Sequence, residues 1–120
     1  MTRRRILIGL AALILLANLS DPQIRVVAAT GGLIGIGYWA AAVCGTSPAA
    51  IAAAIAHVRD VAGIGHVALG SDFDGAVTTP FDTAGLVHIT QALVDRGFTE
   101  AEIAAVMGGN LLRLLSTQLS

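Results

Sequence analysis

The sequence predicts an α/β fold with parallel strands, on three observations. Two short apolar stretches, over residues 33–39 and 67–69, are bounded by glycines and read as buried strands. Between them, Thr46, Ser47 and Pro48 open an alanine-rich helix that runs to about residue 62. Ile51, Ala54, Ile55 and Val58 lie on one face of that helix. A strand, a helix and a strand with short connections form a βαβ unit, so the two strands run parallel with a right-handed crossover.

Composition narrows the class. The 120 residues suggest one domain, 55% hydrophobic, 12% charged and only 4% aromatic, with mean hydropathy +0.78. Seven basic and eight acidic residues leave little polar surface to cover so apolar a chain. Greasy area is therefore expected at the surface, facing more of the same fold, a second copy or a membrane. The net charge of −1 gives no basic footprint for nucleic acid. Cys44, the single cysteine, excludes an internal disulfide and a cysteine-based zinc cluster, and reads as a small buried hydrophobe.

In chain order, Met1-Thr2-Arg3-Arg4-Arg5 and the apolar residues 6–17 have the anatomy of a signal peptide, short for a membrane span. Leu15 and Ala17 make a poor cleavage pair, so an uncleaved anchor or a buried strand or helix are the other readings. Residues 1–17 are set apart as this leader or anchor segment, and residues 18–120 as the domain. An exported or membrane-associated chain is expected, with membrane association through residues 6–17.

Ser20 then caps a helix whose first turn holds Asp21 and Pro22 and which ends near Thr30, before Gly31-Gly32. The strand over residues 33–39, the helix from Ser47 and the strand over residues 67–69 follow. After Asp74 an irregular stretch carries Thr78-Thr79-Pro80, and a helix runs from about Thr83 or Ala84 to Arg96, stopped by Gly97. Thr99-Glu100-Ala101-Glu102 is a capping box that starts a helix reaching Met107. Gly108-Gly109 breaks it, Asn110 recaps, and residues 111–115 form a last apolar helix with Arg113 exposed.

The stretch Gly65-His66-Val67-Ala68-Leu69-Gly70-Ser71-Asp72-Phe73-Asp74-Gly75 carries the chemistry. Two acids follow a buried strand at its C-terminal end, where α/β proteins place their sites. Taken alone, Asp72 and Asp74 read more readily as turn formers than as catalytic acids. His57, His66 and His88 are scattered, and each reads as structural rather than as a metal ligand. The glycines of residues 31–37 follow a helix and enter a strand, the reverse of a dinucleotide fingerprint.

Four motifs in order, Asn18-Leu19-Ser20-Asp21, Gly31-Gly32-Leu33-Ile34-Gly35-Ile36, Gly70-Ser71-Asp72-Phe73-Asp74-Gly75 and Gly108-Gly109-Asn110-Leu111-Leu112-Arg113, resemble the C-terminal part of the membrane dipeptidase (renal dipeptidase, peptidase M19) family. The resemblance covers about residues 18–116. It implies a (β/α)₈ barrel of the metallo-dependent hydrolase type that hydrolyses dipeptides with two zinc ions. It also implies that Asp72, by motif position, is the catalytic acid that contacts substrate, with Asp74 shaping the loop.

The resemblance further implies that the His-x-Asp pair, the bridging glutamate and both ligand histidines lie upstream of Asn18. Ala17 stands where the family has a substrate-binding arginine. None of His57, His66 and His88 matches a ligand position. A barrel of this kind takes roughly 250 residues. The expectation is therefore the last part of a dipeptidase barrel joined to a leader, with one catalytic acid, no metal site and no activity of its own. The other expectation is a non-catalytic apolar fragment that binds a partner, a membrane or a second copy of itself.

Overall fold

A computed structural model describes residues 19–120. The segment expected as a leader or anchor, residues 1–17, lies outside them. The elements are α1 (Asp21–Ala29), β1 (Ile34–Ile36), α2 (Ala40–Val43), α3 (Pro48–Ala62), β2 (Val67–Leu69), α4 (Leu86–Asp95), α5 (Glu100–Ala104) and α6 (Asn110–Leu119). Single 3₁₀ turns at Ile64–His66 and Thr83–Gly85 lead into β2 and α4.

The helix starts follow from local chemistry. Ser20 accepts from the Gln23 N–H while the Gln23 side chain accepts from the Ser20 N–H, closing a reciprocal box at α1. Ser47 caps α3 through the Ala50 N–H, with Pro48 in its first turn. Thr99 and Glu102 close the second expected box at α5. Each such cap stabilises its helix by about 1 kcal/mol.

The end of α4 is equally local. The Phe98 N–H reaches the Leu93 carbonyl and the Gly97 N–H reaches that of Val94, with Gly97 at φ +83°. That reverse turn needs glycine, and it drives Phe98 back onto buried Leu93.

The two strands pair in parallel, with Ile34 opposite Val67, Gly35 opposite Ala68 and Ile36 opposite Leu69. The βαβ unit is as expected, with α3 as its crossover. On one side Ile34, Ile36 and Val67 meet Ile51, Ile55 and Val58 of α3, Ile89 and Leu93 of α4, and Val106. Most of these are fully buried, each worth about 1.5–3 kcal/mol. Leu33 and Ala68 form a smaller cluster with Leu114 of α6.

The first strand is shorter than the apolar run suggested. Pairing stops at Ile36 because its partner strand ends at Leu69, and the Gly70 N–H makes one last bond to the Ile36 carbonyl. Tyr38 is nonetheless buried, and Trp39 becomes the extended residue that enters α2, a helix the sequence did not announce. Cys44 corrects another expectation. It is exposed, because it ends that four-residue helix in the left-handed region at φ 56°.

The C-terminal helices also differ from expectation. The chain kinks at Gly108, whose φ of 168° and ψ of −23° leave the helical region, yet no gap opens. The Asn110 N–H donates to the Ala105 carbonyl five residues back, in a widened turn. The Asn110 side chain does not recap the helix. It is buried and turned toward the strand instead, and α6 continues to Leu119.

Candidate functional site

β2 ends at Leu69, and its chain leaves the sheet through Gly70 and Ser71 into the two acids. Asp72 and Asp74 both take left-handed conformations, at φ 58° and 63°. Among side-chain-bearing residues, aspartate and asparagine tolerate that region best. The Gly75 N–H closes the turn on the Asp72 carbonyl at 3.1 Å, and the Ser71 hydroxyl accepts from the Phe73 N–H at 3.2 Å. Gly75 leaves room for the Asp72 side chain. A β-carbon there would run into the Asp72 carboxylate, which lies across it.

Phe73, between the acids, anchors the loop. Its ring meets Tyr38 edge-on at 5.5 Å between centroids, and Phe81 from the far end of the same loop packs on Tyr38 at 5.7 Å. Burial pushes the Tyr38 phenol up to about 12, so it stays neutral through the physiological range. The aromatic trio holds the loop over the C-terminal ends of both strands and leaves the Asp72 carboxylate exposed to solvent. A carboxylate so placed can accept a proton and return it to a leaving group.

The other end of β2 is held from a distance. Asn110 Nδ2 donates to the Ile64 carbonyl at 2.6 Å and to the Val67 carbonyl at 2.8 Å, and Arg113 donates to the Gly65 carbonyl at 2.8 Å. The last residues of the Gly108–Arg113 motif thus act on the strand that carries Asp72. Sequence reasoning missed this role for Asn110. It also missed Tyr38, whose partners are 35 and 43 positions away by residue number. Arg113 is exposed as expected, with its guanidinium tied to that carbonyl.

The histidines behave as structural groups. His57 pairs with Asp21 at 2.8 Å, an exposed contact of small energetic weight. His66 Nδ1 bonds the Gly32 carbonyl at 3.0 Å, and His88 stands beside the Phe81 ring. No three His, Cys, Asp or Glu side chains converge to hold a metal ion among the described residues. The described residues therefore do not fit the two zinc ions that the family resemblance implies.

Two parallel strands with outer helices and an acid past a strand's C-terminal end are the arrangement of part of a (β/α) barrel. The solved structure of an amidohydrolase from Pseudomonas aeruginosa superposes with a TM-score of 0.74 at 22% identity, over 84% of this chain and 40% of that one. The profile of the membrane dipeptidase family (peptidase family M19) matches residues 12–119, and the chain belongs to that family.

Two relatives give the scale of the match. An uncharacterized protein in the pqqA 5′ region of Klebsiella pneumoniae is 32% identical over 108 residues, 82% of this chain and 40% of that protein. Dipeptidase aclJ of Aspergillus oryzae is 40% identical over 72 residues, 58% of this chain and 17% of that enzyme. The chain spans less than half the length of either relative.

Proposed function

We propose that these residues are the C-terminal part of a dipeptidase barrel, in which Asp72 is the acid that touches the substrate. The observation that carries this reading is the place of Asp72, left-handed and solvent-facing past the end of β2, in a chain of the membrane dipeptidase family. In peptide hydrolysis a carboxylate there would take a proton from the attacking water and deliver it to the leaving amine. Asp74, turned by the same left-handed geometry, shapes the loop. Dipeptides are the proposed substrate class. Zinc, the family's metal by resemblance, would need ligands other than the described residues. On this reading residues 18–120 by themselves are expected to hydrolyse no dipeptide.

The test is direct. The purified chain, titrated with zinc, is expected to bind no ion tightly by calorimetry and to release no amino acid from a simple dipeptide. Turnover at any zinc level would overturn the inactivity.

A second reading is favoured by one observation. Leu111, Leu112, Leu115 and Leu119 stand exposed along α6, and Leu119 is 74% exposed. We propose that this row is covered by a second copy of the chain. Light scattering is expected to find oligomers that a Leu112→Glu, Leu119→Glu variant disperses. A monomeric parent chain would refute it. No helix among the described residues is long and apolar enough to cross a membrane.

A further inference from the structure

Three residues with side chains stand in the left-handed region close together, Asp72 at φ 58°, Asp74 at 63° and Ala76 at 61°. Aspartate tolerates that region, but alanine has no polar side chain to offset the crowding of its β-carbon. The stretch has little packing of its own, since Asp72, Asp74, Gly75 and Ala76 are all exposed. Backbone held in so unfavourable a form persists only where its surroundings fix it from outside. Phe73 and Phe81 are the aromatic side chains that the loop turns inward against the core, and both rest on one ring. That ring is Tyr38, 1% exposed and just past the end of β1. The bond from the Gly70 N–H to the Ile36 carbonyl places this end of β1 beside the start of the loop.

We propose that Tyr38 is a positioning residue for the candidate site, acting through Phe73 and Phe81 to hold Asp72 in its left-handed place. This rests on the reading of Asp72 as the acid that touches the substrate. Tyr38 itself needs no contact with substrate. Its edge-on contact, with 79° between the ring planes, fixes Phe73, whose backbone directly follows Asp72. Its tilted contact with Phe81 fixes the far end of the same loop. With both ends seated on one buried ring, the exposed middle is kept from relaxing out of the left-handed region. The contacts run through the ring and not through the phenol oxygen, so phenylalanine is expected to serve at this position and an aliphatic side chain is not.

Backbone order parameters of the full chain, measured by NMR relaxation, test this without any turnover. In Tyr38→Leu those of residues 72–76 are expected to fall from about 0.85, a rigid backbone, to below about 0.6, while those of α3 stay unchanged. Tyr38→Phe is expected to keep the parent values throughout. Phe73→Leu and Phe81→Leu strip the same contacts from partly buried positions, and they are expected to loosen the loop with the fold intact. A loop that stays rigid in Tyr38→Leu overturns the proposal, as does one that stays rigid in both phenylalanine variants where Tyr38→Leu does not fold. Loosening in Tyr38→Phe, or a loss of order spread evenly over the loop and α3, overturns it as well. Turnover that survives Asp72→Asn in a full-length barrel would remove the reading of Asp72 while the loop still loosens in Tyr38→Leu, so the two failures are told apart.

Discussion

Replacing Asn110 with alanine is expected to destabilise the fold by about 2–4 kcal/mol, since it removes one buried and one part-buried hydrogen bond and strands the Ile64 and Val67 carbonyls. In a domain of this size that lowers the thermal midpoint by roughly 10 °C or more. The loss belongs to the donor and not to the volume. Asn110→Asp keeps the shape but turns a carboxylate toward two carbonyl oxygens, so it is expected to be at least as damaging. A midpoint within 2 °C of the parent for either variant would show that the side chain does not hold β2.

The second large effect concerns chemistry. The 72-residue stretch that matches Aspergillus oryzae dipeptidase aclJ, grafted into that enzyme in place of its counterpart, supplies a full-length setting in which Asp72 can act. There Asp72→Asn is expected to lower kcat by about 10²–10⁴-fold, the usual worth of a positioned general acid–base group. Asparagine accepts the same left-handed backbone, so the loop should keep its shape and KM should move little. Asp74→Asn is expected to leave kcat within a few fold. A grafted enzyme that folds, is active and tolerates Asp72→Asn would remove Asp72 from the reaction.

What could be read from the sequence was what depends on near neighbours. Ser20, Ser47 and Thr99 were legible as caps because each meets an N–H three residues on. Gly97 was legible as a stop because the turn there needs a positive φ. The parallel pairing of the strands followed from a connection too long for a hairpin and filled by one helix.

The misreadings all involve distant groups. Of the apolar run over residues 33–39 only Ile34–Ile36 pair, because the partner's length decides where a strand stops. Asn110 looks like a cap by composition, and nothing nearby reveals the carbonyls that draw its amide inward. At the site, the position of Asp72 was legible. The aromatic support from Tyr38 and Phe81 was not, because it is assembled from three separate stretches.

The hydrogen bonds from α6 to the turn before β2 have a consequence for how the chain comes into being. Asn110 and Arg113 meet carbonyls 43 to 48 positions earlier. As the polypeptide leaves the ribosome, β1, α3 and β2 emerge long before those two side chains exist. Closing so large a loop costs entropy that is recovered only when the contacts form, which makes it a late event. Until residue 113 has been added and folded back, the leading end of β2 lacks its hydrogen bonds from α6. Asp72, already translated at its other end, waits on some forty later codons for its place.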